Sequence, residues 1–529
     1  MASESAVADN PTPSFTLSNP NLLQTDNYIN GSFQPAISSS RFTIVDPGTG
    51  KPWNKCADSG PGDVEAAVQS SHSAFLAYRK TTPRQRAEWL SQWHQCIIAA
   101  KEDLALILVH ETGKPLSEAR GEIDYALTFT RWFTGEAERV HGTTSQAALP
   151  NRRIMTIKQP IGVAAALVPW NFPVALLLRK AAAALAAGCT MVVKPSPETP
   201  ISALALARLA SEAGFPPGAL NIVTTSLENT PGVAEALCLH DLVKKVTFTG
   251  STRVGQIVAG LCARNLKKVT LELGGNCPFV VFDDADLEQA VGQLMALKWR
   301  HAGQACITAN RVYIQRGIHD RFVEAVVEKT RALVVGHGML EGVTMGPLTT
   351  DRGLDKVKNM VVDAEKLGAK AVPGTGRPRE DGRGFFMAPV VYTGVTDEML
   401  LSREEIFAPL LGISAFETEE EVVERANNTS MGLASYVFTK NVDRLWRMFE
   451  NLEAGMIGLV RCPPGSSDPF GGSRSHDFIT DELGVTEHGK HIGSRGSVRR
   501  NQAQRSWEGE WERCGGGRVP HHEDGDFDA

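Results

Sequence analysis

The 529-residue chain has no apolar run near the roughly 20 residues a helix needs to cross a bilayer, so a membrane-spanning role is not expected. It also lacks a basic excess. A formal net charge of −6 gives no polyelectrolyte reason to expect nucleic acid or an anionic membrane as partner. No two cysteines stand as C-x-x-C, and no His lies at zinc-site spacing from a Cys pair, so no structural metal is expected. The nine cysteines are scattered (56, 96, 189, 238, 262, 277, 306, 462 and 514), which reads as reduced thiols, most of them small buried hydrophobes. The opening MASESAVADNPTPSF lacks the basic and apolar regions of a secretory signal and the Arg of a mitochondrial presequence. A cytoplasmic protein is expected. There is no Walker A sequence and no G-x-G-x-x-G fingerprint.

What is present is ordinary for a globular enzyme: 42% hydrophobic and 22% charged residues, in a chain long enough for two or three domains. Residues 1–30 are polar and Pro-bearing, and a loose arm is expected there. From Asp63 to about Val140 the pattern is helical, with Trp89, Leu90, Trp93, Ile97 and Ile98 on one face and a break at ETGKP (111–115). Residues 141–160 read as a projecting strand or hairpin. From Ile161 to Thr270 strands alternate with helices between Gly and Pro stops: strands at 161–168, 190–193, 220–224 and 243–248, helices at 173–187, 201–213, 231–238 and 254–263. That alternation argues for an α/β fold with a doubly wound parallel sheet. Ligands of such sheets bind at the carboxyl ends of the strands. Trp170, Asn171, Lys194, Gly250, Ser251 and Glu272 fall there.

The stretch from Lys268 to Arg311 concentrates reactive groups. Glu272 ends a short apolar run just before Gly274-Gly275, and Cys306 follows a helical pattern that stops at Gly303. An acid on a strand end and a thiol past a helix end are placed where they could converge. Gly250, Ser251 and Thr252 open a helix whose free N–H groups suit a pyrophosphate, although Ser251 could be a plain N-cap. Lys194 reads either as a ribose or phosphate ligand or as a solvated lysine. Asn171 reads as a cap for the helix from Pro173 or as an oxyanion donor. Asp283, Asp284 and Asp286 have the look of a metal cluster, but acids at a helix N-terminus explain them better.

Taken in order, PWNFP (169–173), VVKP (192–195), FTGSTRVG (248–255), LELGGN (271–276), GQAC (303–306) and EEIFAP (404–409) resemble the successive motifs of the aldehyde dehydrogenase superfamily. The resemblance covers roughly residues 25–472. It implies a dinucleotide-binding domain (31–140 and 161–272), a catalytic domain (273–472) and small oligomerisation strands at 141–160, assembled as a homo-oligomer, dimer or tetramer. It implies Cys306 as nucleophile, Glu272 as general base and Asn171, with the Cys306 backbone N–H, as oxyanion donors. NAD or NADP would be the cofactor, held by Pro169, Trp170, Lys194, Ser196, Pro197, Gly250, Ser251, Thr252, Gly255, Glu405 and Phe407. Pro197 stands where NAD-selective relatives carry a Glu for the ribose hydroxyls, so NADP should be tolerated.

Arg179 and Arg300 resemble the positions at which the succinate-semialdehyde dehydrogenase branch holds its substrate's far carboxylate, a task suited to a guanidinium fork. A structural salt bridge is the alternative for each. Ser467, or its neighbour Ser466, would add a hydroxyl beside them. The expected reaction is oxidation of succinate semialdehyde to succinate, as in GABA catabolism. An aldehyde of another pathway is the alternative. After PFGG (469–472) the resemblance stops, and residues 473–529 are Gly-rich, mixed in charge and poor in aliphatics, the composition of a disordered tail. Such a tail would replace the family's last interface strand, and a catalytically impaired NAD-binding protein is the reading it would favour.

Overall fold

A computed structural model describes residues 16–375 and 384–460. Ser467 and the tail 473–529 lie outside the described residues.

Two seven-stranded sheets carry the fold. The first runs, across the sheet, Lys268–Glu272, Val243–Thr249, Val163–Leu167, Thr190–Lys194, Leu220–Ile222, Asn27–Ile29 and Ser32–Gln34. Its first five strands are parallel, and the hairpin over 27–34 closes the edge antiparallel. Val163–Leu167 and Thr190–Lys194 are buried at every position, as strands covered by helices on both faces must be. Helices Pro173–Ala186 and Pro200–Glu212 end just before Gly188 and Gly214, whose φ of 84° and 87° lets the chain turn back at little steric cost. The chain lays down Val163–Leu167, moves outward through Thr190–Lys194 and Leu220–Ile222, then returns to place Val243–Thr249 on the other side of Val163–Leu167. The winding reverses between those last two strands. A crevice at their carboxyl ends is where a doubly wound sheet receives its ligand.

The expected loose arm over 1–30 is corrected from residue 16 onward. Leu17 and Leu22 are core residues, the N–H groups of Ser18 and Asn19 each donate to Asp103 at 2.8 Å, and Asn27–Ile29 is a sheet strand. Single apolar anchors and a three-residue strand carry no periodicity, so this stretch looked like linker.

The second sheet runs Lys370–Ala371, Val390–Thr393, Leu410–Phe416, Arg311–Gln315, Pro278–Val281, Ala434–Phe438 and Met456–Val460. All its pairings are parallel except that of Lys370–Ala371. Helices Leu287–Lys298 and His319–Arg331 pack on it through Val291, Leu294, Phe322 and Val326. Asp286 caps the first of these, accepting from Gln289 N at 3.0 Å. Asp284 accepts from Thr439 and Arg444. These acids act as structural partners.

Thr143–Gln146 and Arg153–Thr156 form a hairpin that, among the described residues, pairs with no other strand, and both of its strands are exposed along their whole length. It leaves Leu149, Ile154, Met155 and Ile157 exposed.

The bodies built on the two sheets meet along a tight seam. Asp46 accepts from His110 Nδ1 (2.8 Å) and His337 Nε2 (3.1 Å), all three buried. Burial alone would raise the Asp46 carboxyl, but the imidazole donors overcome it and hold the pKa at about 2. The trio has the composition of a metal site. However, Met339 N–H donates to His337 Nδ1 at 3.2 Å, which puts the ring proton on Nε2 and leaves that nitrogen no lone pair for an ion. Nearby, main chain touches main chain. A Cβ at Gly338 would lie 2.2 Å from Lys114 O, and one at Gly346 would lie 2.0 Å from Gly113 O.

Candidate active site

Cys306 is carried by a short irregular segment between Leu287–Lys298 and the strand Arg311–Gln315. Three consecutive residues there, His301 (φ 49°), Ala302 (φ 52°) and Gly303 (φ 76°), are left-handed and reverse the chain. For the two with a Cβ this costs roughly 1–2 kcal/mol each, so the surroundings must hold them. Glu118 accepts from His301 N at 2.7 Å. Gln304 donates to His301 O (2.9 Å) and accepts from Thr349 N (2.9 Å). Gly303 has no room for a side chain, since its Cβ would meet Ala408 O at 2.4 Å.

Asn171 approaches this segment from the crevice of the first sheet. Its Nδ2 donates to Gln304 O at 3.0 Å, and an amide nitrogen has a second hydrogen to offer. Lys114 Nζ donates to Asn171 O at 2.9 Å and to Glu122. Glu122 in turn accepts from Val174 N (2.9 Å) and Ala175 N (3.2 Å). A buried carboxylate from a neighbouring helix therefore caps Pro173–Ala186, the task that Asn171 was one candidate for. This leaves the Asn171 amide facing the Cys306 segment.

The local field opposes a thiolate. Burial, then the charges of Glu405 and Glu272, push the Cys306 thiol up to about 11, against a lowering by Arg179. Glu405 is itself pushed to about 7 by burial, although Gly275 N–H (3.2 Å) and Lys356 favour its charged form. Glu272 ends the strand Lys268–Glu272 half-buried, and its carbonyl accepts from Gly250 N at 3.0 Å. Gly275 must be glycine, because a Cβ would lie 2.1 Å from Cys306 O. Phe407, with a left-handed φ of 57°, sets its ring edge-on to Trp170 at 5.5 Å.

The crevice residues suit a dinucleotide. Ser251 caps Thr252–Ala263, accepting from Val254 N at 3.4 Å, so a helix N-terminus faces the strand ends beside Pro169 and Trp170. Gly255 permits that helix to sit close: a Cβ there would meet Leu273 at 2.4 Å. Lys194, buried, has its amine lowered to about 8 by burial, with Glu198 opposing. Ser196 and Pro197 follow it along the same edge.

Arg179 and Arg300 lie over aromatic rings, Arg179 4.7 Å from Phe129 and Arg300 5.1 Å from Phe172. Arg179 also donates to Tyr125 OH at 2.7 Å. Arg300 Nε is buried without a hydrogen-bond partner among the described residues. Sequence reasoning missed Glu118, Lys114, Glu122 and Tyr436, whose hydroxyl donates to Ile307 O at 2.7 Å. The available signal was the spacing of Glu118 and Glu122, one turn apart, just after ETGKP.

Thiol, acid and amide thus lie about one crevice, and comparison with known proteins gives the family that the chain belongs to. The family model "Aldehyde dehydrogenase family" matches residues 33–483. The chain belongs to the aldehyde dehydrogenase family, and it is an enzyme that oxidises an aldehyde with NAD or NADP. It is 44% identical over 470 residues to the mitochondrial succinate-semialdehyde dehydrogenase of Homo sapiens, covering 87% of each chain. It is 44% identical to the succinate-semialdehyde dehydrogenase [NADP(+)] of Saccharomyces cerevisiae, covering 88% of this chain and 93% of that one. A solved structure, succinate-semialdehyde dehydrogenase from Burkholderia pseudomallei, superposes with a TM-score of 0.82 at 41% identity, covering 85% of this chain and 93% of that one. Among the described residues no helix is long and apolar enough to cross a membrane.

Proposed function

We propose that this chain oxidises succinate semialdehyde to succinate, as in GABA catabolism. The observation that carries the substrate is the pair of guanidinium groups, Arg179 and Arg300, stacked on aromatic rings beside the Cys306 segment. Stacking holds each side chain in place, and a guanidinium fork matches the geometry of a carboxylate. In this reading Cys306, as thiolate, adds to the aldehyde carbon. The resulting oxyanion takes hydrogen bonds from the second Asn171 amide hydrogen and the Cys306 backbone N–H, and losing one such donor costs on the order of a hundredfold in rate. Bound NAD or NADP supplies the hydride acceptor. Glu272 takes a proton from the water that attacks the thioester carbon, and cleavage of the C–S bond releases the acid and frees the Cys306 sulfur. Lys194, Ser196, Pro197, Gly250 through Thr252, Gly255, Glu405, Phe407, Pro169 and Trp170 hold the dinucleotide.

The deciding experiment compares succinate semialdehyde with butanal, a neutral aldehyde of the same carbon count, by formation of NADH and NADPH. A strong preference for the acid supports the reading, and equal kcat/KM for the two sinks it. The exposed apolar residues of the hairpin over 143–156 support a homo-oligomer joined through that hairpin. A cytoplasmic location is the compartment we propose, on the seven described cysteines, all free thiols. Cell fractionation tests it.

A further inference from the structure

The strand Thr190–Lys194 lies next outward from the point where the winding reverses, and in doubly wound sheets the end of that strand faces the ribose 2′ position of the adenosine half. This chain gathers four polar groups there. The Lys194 amine is buried at the strand end. Two residues on, the Ser196 hydroxyl donates to the Glu198 carboxylate. The other oxygen of Glu198 accepts from Arg352 Nη2 at 2.7 Å. Arg352 belongs to the opposite body, in the first turn of Asp351–Lys366. The ion pair therefore reaches from one body to the other at the ribose end of the crevice. Its two ends are unequally exposed, 16% for the Glu198 side chain and 54% for Arg352.

We propose that Glu198 and Arg352 form an exchangeable ion pair that sets the choice between the two dinucleotides. With NAD, Glu198 accepts the ribose 2′-hydroxyl while Arg352 stays paired to it. With NADP, Arg352 leaves Glu198 and closes its fork on the 2′-phosphate. The exchange is electrostatically reasonable. A pair with one end this exposed is only weakly held, whereas a phosphate offers more charge and two coplanar oxygens to the guanidinium. Lys194 is a second cation on the same edge, and Glu198, once released, keeps the Ser196 hydroxyl as a donor. Glu198 still repels the phosphate, and Asp351, which accepts from Arg352 N at 2.8 Å, adds a second acid. The expected outcome is an enzyme that binds both dinucleotides without strong discrimination. The inference rests on the family's use of NAD or NADP and not on the identity of the aldehyde.

The test is equilibrium binding of NAD and of NADP to the full-length chain, read by quenching of tryptophan fluorescence with no aldehyde present. Arg352→Ala is expected to raise the Kd for NADP about tenfold and to leave that for NAD within about twofold. Glu198→Gln is expected to shift the ratio the opposite way, tightening NADP and loosening NAD. Arg352→Lys keeps the charge without the fork and should fall between wild type and Arg352→Ala. Competition by 2′-AMP against 5′-AMP isolates the phosphate itself. If Arg352→Ala changes both constants equally, or neither, the pair is only a strut between the bodies and the proposal falls. An unchanged ratio in Glu198→Gln overturns it independently. Because no aldehyde is added, failure of the succinate semialdehyde reading leaves this result untouched.

Discussion

The Cys306 thiol offers a direct check on the electrostatics of the site. Burial together with Glu405 and Glu272 pushes it to about 11. At that value about one thiol in ten thousand is ionised at pH 7, and each pH unit raises the fraction about tenfold. Alkylation by iodoacetamide, followed by mass spectrometry of the Cys306 peptide, should therefore accelerate about tenfold per unit from pH 7 to 10. Glu405 titrates near 7, so its carboxyl is mostly neutral below that pH and repels the thiolate only above it. Glu405→Gln should then alkylate roughly threefold to tenfold faster than wild type at pH 9, with the two proteins converging near pH 6. Arg179→Ala should move the other way and react more slowly throughout. Cys277, buried and pushed to about 12 by burial and by Cys306, should remain unlabelled at neutral pH. A wild-type rate that stays flat from pH 7 to 9, superimposed on that of Glu405→Gln, would refute the argument. It would mean that the thiolate is already formed and that Glu405 does not act on it.

Three further outcomes follow from the same geometry. Replacing Arg300 by Ala should lower kcat/KM for succinate semialdehyde by roughly ten- to a hundredfold, the worth of a charge-assisted hydrogen bond, and leave butanal nearly unchanged, whereas Arg179→Ala should slow both aldehydes, succinate semialdehyde the more, because Arg179 also favours the Cys306 thiolate. Asp46→Asn should cost about 2–4 kcal/mol in urea unfolding. In the wild type the Asp46 carboxyl drops from 3.8 to about 2 on folding; its contribution is complete above about pH 4 and is lost as pH falls toward 2. The variant should therefore lose less stability than wild type over that window. Met155→Asp on the exposed hairpin should reduce the mass measured by light scattering to that of a smaller assembly while the circular dichroism spectrum is kept. An unchanged mass would show that subunits, if they associate, do so elsewhere.

The first sheet was legible because its physics is local. A strand buried on both faces is an unbroken apolar run, and Val163–Leu167 and Thr190–Lys194 are such runs, each followed by a helix that stops near Gly188 or Gly214. The candidate chemistry-bearing residues could be named only through motif resemblance, since nothing in the spacing of Glu272 and Cys306 alone brings them together. Their supporting groups were not legible. Glu118 and Glu122 sit on a helix among other polar residues, and only tertiary packing gives them their tasks: Pro173–Ala186 makes Glu122 a buried cap, and the segment before Cys306 makes Glu118 the anchor of His301 N. The Asp46 cluster joins residues 64 and 291 positions apart, a separation at which no local pattern operates. The left-handed φ of Phe407, His301 and Ala302 is imposed by tertiary contacts against each residue's own preference.

The close approach of Gly338 and Gly346 to the backbone of Gly113 and Lys114 bears on how the enzyme keeps its tolerances. Lys114 holds the carbonyl of Asn171. On the other side of the seam, Thr349 holds Gln304, two residues before Cys306, and its hydroxyl donates to Thr112 O at 2.8 Å. The gap between the Asn171 amide and the Cys306 sulfur is thus gauged by main chain resting on main chain, with few rotatable bonds in the measuring loop. Such a gauge has little slack, because a backbone contact cannot relax by a change of rotamer. The ion pair of Glu198 and Arg352, which also joins the two bodies, is a contact of the opposite kind, one that water and salt can loosen.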